Sequence, residues 1–318
     1  MGNIKLDKID KKLLGYIFHR FREPITKIAK SCRISREQAE YRIKKYQEKG
    51  FVKGFFPLFN LYSLGYNKNY IIKLRVKNPK HENLENLPSN NVLIFTRLQC
   101  YGGWDYILTI FAKDKKDVIN FISKLYDLWG NELLDYDIFE PLEIHFFPLK
   151  IFGSREDDKT LSFFETEKMK IDFLDEKIIK IISKNANIRI IELAEKLNEK
   201  VETINYRLKR LEKNLILGYR LFLDLEKIDY NLSSIFLKLN NLSTIEIKKI
   251  LGYSKNREKI HACSIGIGKF NLVFQIIYQN QKELSEEINK IKELFSDKIV
   301  GYELVNIEKE LTPKTSPF

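Results

Sequence analysis

The strongest constraint on this chain is an internal repeat. Residues 25–54 read ITKIAKSCRISREQAEYRIKKYQEKGFVKG, and residues 190–218 read IIELAEKLNEKVETINYRLKRLEKNLILG. At one constant offset Ala29 aligns with Ala194, Glu37 with Glu202, Tyr41 with Tyr206, Arg42 with Arg207 and Lys44 with Lys209. One residue is lost just beyond, so Gly54 aligns with Gly218 and Tyr66 with Tyr230. A unit of this size repeated once means duplicated domains rather than a solenoid. The 318 residues also exceed what one core usually organises.

Each copy opens with three helical patterns. Ile9, Leu13, Leu14, Ile17, Phe18 and Phe21 form a helical stripe that Asp7 can cap, with Asp10 three residues on. Pro24 suits the first turn of a second helix, in which Ile25, Ile28 and Ala29 face inward. Ser35 and Gln38 have capping-box spacing for the third helix, and Gly50 is a natural stop. Phe51 to Phe59, with Gly54 in its middle, reads as a two-stranded wing. Strands over 70–76, 92–100, 105–111 and 133–147, a short helix over 79–89 and a longer one over 115–129 then give a β-α-β-β-α-β order, the ferredoxin-like sandwich. Residues 148–170, containing GSREDDK, read as a partly mobile linker. Asp172, Asp175, Ile178, Ile179 and Ile182 restart the first helix. Strands at 232–239, 261–265, 271–278 and 299–307, with helices at 244–251 and 282–295, supply a second β-α-β-β-α-β. The fold class is therefore α+β in two tandem modules.

The third helix of each copy divides into two faces. Ala39, Ile43 and Tyr46 form the buried stripe, and at about 100° per residue Tyr41, Lys44 and Lys45 point away from it, with Arg42 on the flank. Tyr206, Arg207, Lys209 and Arg210 hold the matching places. A helix that enters the major groove needs this division: Arg and Lys bind phosphate or purine edges, and Tyr stacks or donates to phosphate. Basic residues on a helix can equally be a solvated face. The identity of Glu37/Glu202, Tyr41/Tyr206, Arg42/Arg207 and Lys44/Lys209, away from the stripe, favours contact with double-stranded DNA. Base-reading positions fall early in each helix, at Ser35, Arg36, Gln38 and Glu40 and at Lys200, Glu202, Thr203 and Asn205. They differ between the copies. The formal charge of +12 fits a polyanionic partner. Its excess lies in the repeated segments, chiefly the first: residues 1–56 hold 15 Lys/Arg against 6 Asp/Glu, and residues 172–220 hold 11 against 8.

Other classes find little support. Cys32, Cys100 and Cys263 are sparse and odd in number, which indicates a reducing, cytoplasmic setting and gives no metal spacing. His19, His81, His145 and His261 are scattered, as surface or boundary residues would be. No apolar run is long enough for a membrane span, and MGNIKLDKID does not read as a signal peptide. No nucleophile motif, phosphate-binding glycine loop or zinc set is visible, so neither cofactor nor metal is expected.

The sequence resembles the Lrp/AsnC (feast/famine, leucine-responsive) regulators. The resemblance is carried by LDKIDKKLL, YRIKKYQEKGFVKGF and GGWDYILTI, and in the second half by LDEKII, YRLKRLEKNLILGY and GKFNLVFQI. It covers all but the linker and tail. It implies a winged helix-turn-helix over 1–62, a RAM-like domain over 63–148, a linker over 149–170, a second winged helix-turn-helix over 171–228 and a second RAM-like domain over 229–311. Family members are ordinarily single modules that pair through the RAM domain, so the resemblance implies a covalent pseudo-dimer and self-association through the RAM-like domains. It also implies an amino acid or similar effector at the loop before the third strand: Tyr101, Gly102, Gly103 and Asp105, with Asp105 holding the ammonium group. The second copy departs, with Asn271 for the aspartate and Lys269 beside it. Both loops also read simply as tight turns that need glycine.

A rival from another class is an enzyme. Sirohaem decarboxylases resemble the same paired architecture and are expected to use histidine and arginine around the sheet. The corresponding strands here offer only Arg97 and His261. A third reading keeps a sensing or architectural role with a second head that no longer reads DNA.

Overall fold

The computed structural model describes residues 4–80, 84–85, 87, 91–153, 158, 160–311 and 316–318. In chain order the first half contains α1 (Lys8–Arg20), α2 (Ile25–Cys32), α3 (Arg36–Glu48), β1 (Val52–Phe59), β2 (Lys68–Val76), β3 (Val92–Tyr101), β4 (Tyr106–Ala112), α4 (Lys115–Trp129) and β5 (Leu133–Phe146). A short β6 (Leu161–Phe163) precedes the second half: α5 (Phe173–Lys184), α6 (Ile190–Leu197), α7 (Val201–Asn214), β7 (Ile216–Leu223), β8 (Asn231–Leu239), α8 (Thr244–Asn256), β9 (Ile260–Gly268), β10 (Leu272–Tyr278), α9 (Gln281–Phe295) and β11 (Ile299–Glu310). The helix expected over 79–89 lies largely outside the described residues, as do His81 and most of GSREDDK.

The chain divides into two compact units, and they group the repeats by type rather than by module. One holds residues 1–64, 148–228 and 315–318; the other holds 65–147 and 229–314.

In the first unit both helix-turn-helix copies start in the same way. Asp7 and Asp10 form a capping box at α1, and Asp172 and Asp175 form one at α5. Leu13, Leu14 and Ile17 of α1, and Ile178, Ile179 and Ile182 of α5, are wholly buried. The tight turn after α2 needs a left-handed residue, supplied by Arg33 (φ 60°), and that after α6 by Asn198 (φ 53°). The wing differs from the expected hairpin. β1 is one continuous strand and pairs antiparallel with β7 of the other copy, with Phe55 opposite Leu221 and Pro57 opposite Tyr219. Gly54 turns nothing; it makes room for the Phe56 ring, which a Cβ there would meet at 2.9 Å. Phe21 closes over the ribbon, its ring 4.2 Å from Phe55 and 5.6 Å from Tyr219.

The described residues of the linker are packed more closely than its composition suggests. Ile151, Phe152, Leu161 and Phe163 are buried, Asp158 accepts from Arg20 at 2.7 Å, and Thr166 bonds Asn60 and Ser63. Its apolar residues come in pairs rather than with a helical period, so periodicity gives no sign of them.

In the second unit the two halves of the repeat share one sheet. β2, β4, β3, β11, β8, β10, β9 and β5 follow one another, and β5 also pairs with β2, closing a barrel. The seams between halves are β3–β11 and β5–β9. Alternation along each strand then makes separate cores. Ile72, Leu74, Leu108 and Ile110 pack outward under Phe121 and Leu125 of α4. Ile235, Leu237, Phe274 and Ile276 pack under Ile250 of α8 and Ile291 of α9. Ile71, Leu98, Ile107, Phe139, Phe236 and Val305 fill the barrel.

Candidate nucleic-acid interface

Local chemistry fixes the start of each third helix. Ser35 Oγ accepts from the Gln38 amide at 3.1 Å, and Gln38 Oε1 accepts from the Ser35 amide at 3.1 Å, completing the expected capping box. The Ser35 side chain is thus committed to the helix, and Gln38 keeps only its Nε2 donors free for a base edge. Arg36 donates to Glu40 at 2.8 Å across one exposed turn. The second copy has no capping bond at its N-cap residue Lys200, and Thr203 and Asn205 are half-buried.

On the outer face Tyr41 is 65% and Tyr206 68% exposed, so both rings stand in solvent. Lys45 lies 5.9 Å over the Tyr41 ring, Lys44 keeps a loose contact of 3.7 Å with Glu48, and Lys209 is exposed.

Arg42 and Arg207, which helical angle puts on the flank, turn away from that outer set. Arg42 donates to Asp7 at 3.0 Å and to buried Asp10, and Tyr46 donates to Asp10 at 2.5 Å. Arg207 repeats this with Asp172 and, at 3.2 Å, Asp175. Each arginine therefore ties its third helix to the capping box of its first. Burial would lower the Arg42 pKa, but the hydrogen bonds it donates to Asp10 and Asp7 outweigh it and the net shift is upward. The Asp10 backbone amide, with Arg42, holds the Asp7 carboxyl below its ordinary range. In the second copy Arg207 is the chief cause of the same shift at Asp172. Burial and the Asp10 carboxylate push the Tyr46 phenol up.

The copies differ three residues further along. Lys45 stays on the outer face over the Tyr41 ring, whereas its counterpart Arg210 folds back onto Asp175, and Leu211 stands where the first copy has Tyr46. The described outer face accordingly keeps Lys44 and Lys45 in the first copy and Lys209 in the second.

The loop read as an effector site belongs to the other unit. Tyr101 is half exposed and Gly102 has φ 110°. Asp105 Oδ2 accepts from the Val76 amide at 2.7 Å. Asn271 stands at the matching place, accepting from the Leu239 amide and donating to its carbonyl, both at 2.8 Å. Both side chains thus tie the turn to the end of the first strand of their half. Trp104, between Gly103 and Asp105, points into the barrel core.

Residues 172–214 match the winged helix-turn-helix DNA-binding family. An uncharacterised HTH-type transcriptional regulator of Pyrococcus abyssi is 30% identical over 139 residues, which cover 43% of this chain and 90% of that protein. The HTH-type transcriptional regulator FL11 of Pyrococcus horikoshii is 25% identical over 129 residues, 41% of this chain and 85% of that one. Relatives of this kind are thus matched by less than half of the present chain, as expected if each is one module. The crystal structure of the siroheme decarboxylase NirDL superposes over 96% of this chain and 92% of its own, with a TM-score of 0.58 and 16% identity, a likeness of fold. The repeated helix-turn-helix, the paired halves of the barrel sheet and the regulators they match place the chain in the Lrp/AsnC family of transcriptional regulators.

Proposed function

We propose that this chain is a sequence-specific, double-stranded-DNA-binding transcriptional regulator of the Lrp type that acts in the cytoplasm as a covalent pseudo-dimer. The observation that carries the reading is the solvent-facing set Tyr41, Lys44 and Lys45 on α3, echoed by Tyr206 and Lys209 on α7. Arg36, Gln38, Lys200, Thr203 and Asn205 are the base-facing candidates. Arg42, Arg207 and Arg210 hold the helices that present them. With two outward lysines against one, the first head dominates affinity, and the preferred site is an imperfect palindrome with half-sites about one helical turn, or a multiple of it, apart. The β1–β7 ribbon supports the pseudo-dimer, since it joins the two heads strand to strand. An amino acid or similar small molecule at Tyr101, Gly102, Gly103 and Asp105, and self-association through the RAM-like domains, complete the proposal.

The test is a salt titration of DNA binding by fluorescence anisotropy, on a site selected from random duplexes. Each phosphate neutralised contributes about −0.9 to the log–log slope. The double variant Lys44→Ala, Lys45→Ala should weaken binding to all duplexes and flatten the slope by about 1 per lysine. An unchanged slope would show that this face does not meet DNA.

The enzyme reading has one observation on its side. Arg97 is 3% exposed, its Nε lacks a partner, and burial lowers its pKa. Turnover of a sirohaem-type tetrapyrrole by the purified chain would put that reading first.

A further inference from the structure

Inside the barrel one side chain breaks the apolar pattern. The strand YIIKLRV places Lys73 inward, where it is 1% exposed. Its Nζ donates to Glu303 at 2.6 Å and pairs with Asp137 at 2.9 Å. Three rings surround the same ammonium, with centroids at 4.7 Å (Trp104), 4.5 Å (Phe236) and 4.8 Å (Phe270). Trp104 also donates its indole N–H to Glu303. Lys269, more exposed, approaches Glu303 at 3.8 Å.

These residues are related by the duplication. The Asp105 amide bonds the Leu74 carbonyl as the Asn271 amide bonds that of Leu237, so Lys73 corresponds to Phe236 and Trp104 to Phe270. LLDYD aligns with IVGYE at the start of the last strands, so Asp137 corresponds to Glu303. Three corresponding pairs thus converge on one point, and only one member of the six is a cation.

Aromatic faces together with carboxylates are the chemistry that recognises an ammonium group, and the interaction strengthens when the cation is desolvated. We propose that Trp104, Phe236, Phe270, Asp137 and Glu303 form an ammonium-binding cage drawn from both halves of the barrel, with Lys73 as its resident ligand. The ligand class is a primary alkylammonium ion. Because the lysine is tethered to the first half and most of the cage belongs to the second, occupancy holds the halves together without a diffusible effector.

The test uses the full chain carrying Lys73→Ala, which removes three methylenes and the ammonium. n-Propylammonium replaces that fragment; 1-propanol and sodium chloride are the controls. The thermal midpoint of the variant should fall below that of the parent. Propylammonium should raise it saturably and shift the fluorescence of the tryptophan in the cage, while the controls and the parent show neither effect. A folded variant that gains nothing from propylammonium, or gains as much from propanol, overturns the proposal. If Lys73→Ala does not fold, the isosteric Lys73→Met decides. It should melt lower by at least about 5 °C, since two carboxylates lose their cation. A midpoint equal to that of the parent overturns the cage.

Discussion

Arg42, on the third helix, closes onto Asp10, which completes the capping box of the first helix. The same relationship joins Arg207 to Asp175. It separates two roles that helical position alone runs together: holding the reading helix and touching DNA.

Arg42→Ala should therefore act on stability. Asp10 is 8% exposed and would keep the Asp7 amide and Tyr46 but lose its only ion pair among the described residues, with a cost of about 2 kcal/mol after allowing for the partial exposure of the arginine. Arg207→Ala should cost less, because Arg210 still bonds Asp175. Urea unfolding would measure both. The salt slope of DNA binding should stay near the parent value in either variant, in contrast to the lysine pair. A flattened slope with unchanged unfolding would return Arg42 to the DNA-contacting set.

His19 should make the first unit sensitive to mild acid. Its Nδ1 bonds the Tyr219 carbonyl at 3.0 Å, and its Nε2 is sealed from solvent without a partner. Burial pushes its pKa down from 6.5 to about 4. The folded state thus resists a proton that the unfolded state accepts. Stability from this group is complete above about pH 6.5 and is lost as pH falls from there toward about 4, by at most about 3 kcal/mol. His19→Asn keeps a donor for Tyr219 and cannot titrate. Its unfolding free energy should vary less across that window than the parent's, and equal slopes would show that His19 is not the responsible group.

How much of this was legible in the sequence depends on how far apart the partners lie. Capping boxes, helix stripes and the β-α-β-β-α-β order are local patterns, and the elements fall within a few residues of the expected places. The wing was misread because the partner of β1 is β7, in the other copy, and nothing in residues 51–59 specifies a strand so distant. The bonds of the arginines to the first helix went unread although the signal was present. Asp7/Asp172 and Asp10/Asp175 are as identical between the copies as Arg42/Arg207, and reading those pairs together would have suggested a bond. Lys73 also left a trace, as a charge set in the apolar strand YIIKLRV, but only barrel closure brings Asp137 and Glu303 to it.

The Asp105 loop offers a separation of structure from sensing. Asp105→Asn should fold as well as the parent, because Asn271 already fills the matching place and makes two backbone bonds there. Asp105→Ala leaves the Val76 amide without its acceptor and should cost about 1 kcal/mol. If the loop also holds the ammonium group of an amino acid, Asp105→Asn should abolish any response of DNA binding to amino acids while the thermal midpoint stays put. A response retained in Asp105→Asn would leave the carboxylate with its turn-forming role alone.

The two barrel seams are unequal, and one glycine marks the tighter of them. On β9 a Cβ at Gly266 would meet the Glu140 carbonyl oxygen of β5 at 2.1 Å and the Phe139 ring at 2.8 Å. Backbone cannot yield as a flexible side chain does, so the strands would have to part. At the corresponding place on the other seam Cys100 pairs with Ile307, and a full side chain is accommodated. Gly266→Ala should thus open the β5–β9 seam and cost about 3 kcal/mol or more, beyond the usual range for one added methyl in a packed site. Cys100→Ala only removes a buried sulfur and should cost about 1 kcal/mol. Hydrogen exchange distinguishes the outcomes: in Gly266→Ala the amides of β5 and β9 should lose protection while those of β3 and β11 keep theirs. Uniform loss across both seams would mean that the barrel opens as one unit.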